Sequence, residues 1–250
     1  MILGLAALAF AGPSAELAPA VPQVPANHLK FYVQFSEPMR PVRSALDPVA
    51  LMDRTTGEVV PTAFAHLPLW SADRDTLTLL LHPGRQKRAV GFGAELGAVL
   101  EEGHSYEVRV VPGLQAVVGE PMDQVATLRF DAVAPDRTRP DPSSWTVLPP
   151  DSPSGVVLVD LHEPVDPFLA ARAFVVQAAD GSILPTTATV DGGQVRLAPT
   201  VPWPEGTASV VQVARVEDLA GNTAQALFDR APGDRVDVPP FEQTFELPAP

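Results

Sequence analysis

The sequence predicts an all-β protein made of two tandem antiparallel β-sandwiches. Three observations predict it. Apolar residues alternate with polar ones in short runs, as in Phe31, Val33 and Phe35 set between Tyr32, Gln34 and Ser36, which gives a strand one buried face. The 250 residues include 29 prolines and 17 glycines, punctuation that stops helices and favours strands joined by turns. The same order of features also occurs twice: the run from Leu29 to Met39, closing on Glu37-Pro38, returns from Val156 to Asp166, closing on Glu163-Pro164.

The first unit is expected over residues 27–133. After the run beginning at Leu29, Val49-Ala50-Leu51-Met52 reads as a strand, followed by a turn through Asp53 and Gly57 and by Val59-Val60. Residues 76–81 read as a strong strand that Pro83-Gly84 ends, residues 106–111 alternate cleanly, and residues 126–130 close the unit. Residues 134–144 hold three prolines, two acids and two arginines and read as a linker. The second unit, 145–231, repeats the order: Phe174-Val175-Val176-Gln177, a turn at Asp180-Gly181, Ile183-Leu184-Pro185-Thr186, then residues 194–197 and 208–213. Ala226-Leu227-Phe228 is expected as its last strand. Each unit has six or seven strands in roughly 85–105 residues, the size of a sandwich. Residues 232–250 are expected as a tail that either adds an edge strand or stays flexible.

Residues 1–11 are apolar and too short to span a bilayer; followed by Gly12-Pro13-Ser14-Ala15 they read as a signal-like segment. Residues 1–26 are thus expected as that segment plus a disordered Pro/Ala-rich spacer, and the chain as exported, periplasmic or on the cell surface. It is cytoplasmic if the segment is not a signal. No transmembrane span is expected.

The formal net charge of −13 argues against a nucleic-acid partner, which needs a basic face. The lack of cysteine excludes disulfides, thiol catalysis and thiolate metal sites. No Gly-x-Ser-x-Gly elbow, phosphate-cradling glycine loop or His-Glu-x-x-His pair occurs, so no catalytic residue is assigned.

The candidate sites are few. His82 to Arg88 is the one basic cluster, and it has no counterpart in the second unit. Arg85, Lys87 and Arg88 are candidates for binding an anionic envelope polymer or a protein partner; the plainer reading is a solvated loop paired with nearby acids. The loop Glu217-Asp218-Leu219-Ala220-Gly221-Asn222 reads first as a tight turn, with Asp218 capping it, Gly221 supplying positive φ and Leu219 plugging the open end of a sandwich. Glu217, Asp218 and Asn222 are also oxygen donors, so Ca2+ is a candidate ligand there. His66 and His82 are candidate metal ligands if they meet across a hairpin. Glu37 and Glu163 occupy equivalent places and read as features of the fold. Trp70, Trp145 and Trp203 read as packing residues before any sugar-stacking role.

Phe35-Ser36-Glu37-Pro38-Met39 and Glu217-Asp218-Leu219-Ala220-Gly221-Asn222 resemble motifs of the bacterial Ig-like modules found in surface-layer and adhesion proteins. The resemblance covers about residues 27–230. It implies Ig-like sandwiches acting as spacers, stalks or binding units, without enzymatic activity. The expected role is therefore structural, adhesive or binding work in the bacterial cell envelope. The rival readings are an accessory subunit docking through the 82–88 loop, and a metal-dependent protein with an interdomain site formed by His66 or His82 with carboxylates such as Glu101.

Overall fold

The computed structural model describes residues 12–41, 48–82, 97–229 and 235–249. It is nearly all β. In the first sandwich one sheet has the order β1-β3-β7-β6, formed by Ala15–Ala18, Lys30–Phe35, Thr76–Leu80 and Leu69–Trp70. The facing sheet is β2-β9-β8-β4-β5, formed by Gln23–Pro25, Ala126–Val133, Ser105–Val110, Val49–Asp53 and Glu58–Val59. Only the β2–β9 pair is parallel among these strands. The alternation seen in sequence is what closes the core: Phe31, Val33 and Phe35 from β3 meet Leu51, Tyr106, Val108 and Phe130 from the other sheet, as two stacked sheets require.

The second sandwich repeats the layering. One sheet is β10-β11-β15-β14, from Thr146–Leu148, Val157–Asp160, Gln194–Pro199 and Thr186–Asp191. The other is β13-β12-β16-β17, from Ile183–Leu184, Phe174–Ala178, Gly206–Gln212 and Glu242–Leu247. A single helical turn, α1 (Pro167–Ala170), is capped by Asp166, whose Oδ1 accepts from the Phe168 and Leu169 amides at 3.0 Å each. Trp145 and Trp203 are both buried, as packing residues should be.

Two expectations are corrected. The stretch read as a disordered spacer contains β1 and β2, which pair with β3 and β9; Leu17 and Val24 are buried in the first core, which gives this Pro/Ala-rich stretch its hold. The last strand of the second sandwich is β17, not residues 226–228, where Thr223 and Ala226 close a tight turn instead. Phe241, Phe245 and Leu247 are buried. They supply the inward apolar face that a closing strand needs, and β17 stands at the edge of its sheet, as one of the two expectations for residues 232–250 has it. Residues 1–11, and with them most of the signal-like segment, lie outside the described residues.

Candidate functional site at the domain junction

β3 starts at the end of the first sandwich that faces the second, and it carries Lys30 and Tyr32 there. Both reach Asp166 at the head of α1: Tyr32 Oη donates to Asp166 Oδ2 at 2.6 Å, and Lys30 Nζ lies 2.8 Å from the same oxygen. Lys30 Nζ also lies 3.1 Å from Glu217 Oε2, and Arg215 holds the other Glu217 oxygen at 2.8 Å. Asp166 is only 2% exposed, so its charge depends on these partners. Burial, and then Asp166 itself, pushes the Tyr32 hydroxyl well above its ordinary range. The Tyr32 ring packs on Phe168, with centroids 4.3 Å apart.

The loop at residues 216–222 fills the rest of the seam. Leu219 is buried within the core of the first sandwich, and its carbonyl accepts the Leu29 amide at 2.9 Å. It does plug the open end of a sandwich, and that sandwich is the neighbouring one. Gly221 has φ of +81°, and a Cβ there would come within 2.7 Å of Leu29 Cδ2. Asp218 organises the turn: its Oδ1 accepts the Ala220 and Asn222 amides, and its Oδ2 accepts Asn222 Nδ2, each at 2.8 Å. The linker is bound too, because Asn27 exchanges hydrogen bonds with the Asp136 backbone at 2.7 and 2.8 Å. His28 is buried under this seam, and burial pushes it down to about 4, so it is neutral.

Three carboxylates converge here from separate segments. Asp136 of the linker, Glu163 after β11 and Asp218 each place an oxygen within 4.8 Å of the others. Burial, then Asp218 and Asp136, pushes Glu163 up to about 7. Burial also pushes Asp218 up to about 6, opposed by the Asn222 hydrogen bonds. Like charges this close favour uptake of a proton or another cation.

The residues selected from sequence divide accordingly. Of the candidate calcium donors, Asp218 alone joins the carboxylate group. Glu217 is held by Lys30 and Arg215, and Asn222 spends its oxygen on the Phe228 amide at 3.0 Å. His66 is exposed and is not part of the metal-competent group found among the described residues, and neither is His82. Glu101 lies 3.8 Å from His104. Arg85, Lys87 and Arg88 lie outside the described residues. Sequence reading did not single out Asp136, and Glu163, read as a feature of the fold, stands in this carboxylate group. The available signal was that Asp218, unlike Glu163, has no acidic counterpart in the first unit.

The layered sheets, with β1 on one sheet and β2 paired to the last strand of the other, define an all-β chain of Ig-like sandwiches. No protein-family model and no curated protein sequence matches the chain. Among solved structures it is similar to the S-layer protein rSbsC, with 15% identity over 80% of this chain and 23% of that chain, at a TM-score of 0.33. It is also similar to alpha-2-macroglobulin from Escherichia coli spanning domains MG0-NIE-MG1, with 11% identity over 80% of this chain and 66% of that one, at a TM-score of 0.32. A third likeness is to the N-terminal four Ig domains of Dscam1, with 14% identity over 85% of this chain and 49% of that one, at a TM-score of 0.24. The chain thus spans about a quarter of the length of rSbsC. No helix among the described residues is long and apolar enough to cross a membrane.

Proposed function

We propose that the chain is a tandem pair of Ig-like modules forming one stiff, non-enzymatic structural or adhesive unit of the bacterial cell envelope. The observation that carries this reading is the junction. A buried carboxylate shared by Lys30 and Tyr32, with Leu219 of one sandwich set in the core of the other, resists hinge motion, where modules joined by a linker alone would swing. The tandem reading is supported by matched contacts. Met39 bridges Ala116 as Val165 bridges Asp218, and the Arg40 amide donates to Gln115 as the Asp166 amide donates to Glu217.

The test combines two measurements. Small-angle scattering of the dilute chain should fit a single elongated particle, and fractionation of the native host should recover the protein with the envelope. Scattering that requires an ensemble of interdomain angles would overturn the stiff unit. Recovery in the cytosol would overturn the placement.

A further inference from the structure

The two sandwiches point the same way along the chain. β3 and β11 run toward matching ends: the Phe35 amide donates to Asp75 as the Leu161 amide donates to Gly193, and the Met39 amide donates to Arg74 as the Val165 amide donates to Gly192. On the second sandwich that end meets the first; on the first it is the outer end, where Gly12 stands. Gly12 lies against the loop that carries Pro121: a Cβ there would run into the Pro121 carbonyl and stand 3.7 Å from the Asp123 amide nitrogen. Pro13 is buried. Ser14 is tied twice to the end of β3, its amide donating to Ser36 Oγ and its carbonyl accepting the Ser36 amide, each at 3.0 Å. β1 follows at once, pairs with β3 at four positions and buries Leu17. The contacts of the first sandwich thus run without a gap from Gly12 onward.

The apolar run of residues 1–11 ends in Ala9-Phe10-Ala11. A leader peptidase selects small side chains at the first and third positions before the bond it cuts. The sequence alone offers other such triplets, including Ala7-Leu8-Ala9, Gly12-Pro13-Ser14 and Ala18-Pro19-Ala20. A cut after Ser14 would strip away the Ser14–Ser36 pair, and a cut after Ala20 would also remove β1 and take Leu17 out of the core. Cuts after Ala9 or Ala11 leave the sandwich whole, and charge decides between them. Hydrolysis leaves an α-ammonium on the first residue of the product. At the outer end Glu37, Asp73, Glu120 and Asp123 outnumber Arg40 and Arg74, so a cation set down there is favoured. With Gly12 first, the ammonium stands beside the loop that carries Glu120 and Asp123. A cut after Ala9 would leave Phe10 and Ala11 between the ammonium and that loop.

We propose that the Ala11–Gly12 peptide bond is hydrolysed by a leader peptidase, and that the amino group so freed is seated beside Glu120 and Asp123 as the start of the first sandwich. The C–N bond between Ala11 and Gly12 breaks, and the oxygen of a water molecule bonds to the Ala11 carbonyl carbon. Both water protons end on the Gly12 nitrogen, leaving Ala11 a carboxylate.

The inference rests on export of the chain, which fractionation of the host checks separately. Intact mass and amino-terminal sequencing of the protein recovered from its native host should give residues 12–250, reading Gly-Pro-Ser-Ala from the start. Residues 1–11 still attached, or any other first residue, would overturn the cut, whichever fraction holds the protein. Ala11→Leu should abolish the product that begins at Gly12, because the residue before the bond is no longer small; the same product from that variant would overturn the assignment. The seat is tested without export. At low salt, chain 12–250 with a free amino group should melt about 2 °C above the same chain capped by an acetyl group. Glu120→Gln with Asp123→Asn should erase that difference, and both residues are exposed, so the fold is kept. Equal melting of the free and capped chains, or a difference that survives the double substitution, would overturn the seat.

Discussion

Leu219 belongs to the second sandwich by sequence and to the first by packing: it lies within the core that holds Phe31 and Leu81, and its carbonyl accepts the Leu29 amide at 2.9 Å. Leu219→Ala should therefore destabilise both modules, by about 2–3 kcal/mol, and should loosen the junction. Chemical denaturation followed by Trp70 and Trp145 fluorescence checks this. A loss confined to the second sandwich would contradict the shared core.

Asp166→Ala should cost about 3 kcal/mol, because it strands the Tyr32 hydroxyl in a largely buried site, leaves Lys30 with Glu217 alone and removes the cap of α1. Lys30→Met should cost more in the native chain than in the Asp166→Ala background, since only with Asp166 present does it leave a buried carboxylate without its cation. The melting temperatures of the two singles and the double report the coupling. Strict additivity would mean that the pair is not coupled.

Much of this fold was legible in sequence, and the failures have physical causes. Alternation located β3, β8 and β15 because one face of each strand must be apolar. β1 and β2 were missed because Ala and Pro carry little strand signal, and these segments are held by pairing with distant strands. Residues 226–228 resembled a last strand by local pattern, yet Phe241, Phe245 and Leu247 fill the core better. The turn role of Asp218 was readable locally, because its hydrogen bonds span four residues or fewer. Its meeting with Asp136 and Glu163 was not, because it depends on how the linker docks.

Glu163 and Asp218 give the junction a defined pH dependence. Their ordinary values of 4.5 and 3.8 rise to about 7 and about 6 in the folded chain. The folded state therefore holds more protons than the unfolded state between those limits. The contribution of these two groups to stability is fully present below pH of about 4 and is lost as pH rises through about 7. After discounting for solvent screening, Glu163 accounts for about 1–2 kcal/mol of that loss. Glu163→Gln should flatten the melting-temperature profile between pH 5 and pH 8, a window set by those shifts. An unchanged slope would rule out the carboxylate group as its origin.

His104 has the opposite charge type and the same sign. The hydrogen bond from its ring to Asp53 at 2.8 Å raises it above its ordinary value of 6.5. Its contribution is fully present below pH of about 6.5 and is lost as pH rises through the folded value. Asp53, although burial opposes it, is held below its ordinary range by His104 and by the Thr55 and Thr56 amides. NMR titration of the His104 ring should give a midpoint above 6.5, and Asp53→Asn should return it to that value. A midpoint at or below 6.5 in the native chain would refute the pairing.

The parallel orientation of the two sandwiches has a mechanical consequence. The chain enters at the outer end of the first sandwich through β1, and β17 leaves at the outer end of the second. β1 is held by four paired positions to β3, and β17 by six to β16. Tension applied between the two ends pulls each of these strands along its own axis. The ladder bonds are then loaded together in shear instead of being peeled open one by one, an arrangement suited to carrying a stretching load.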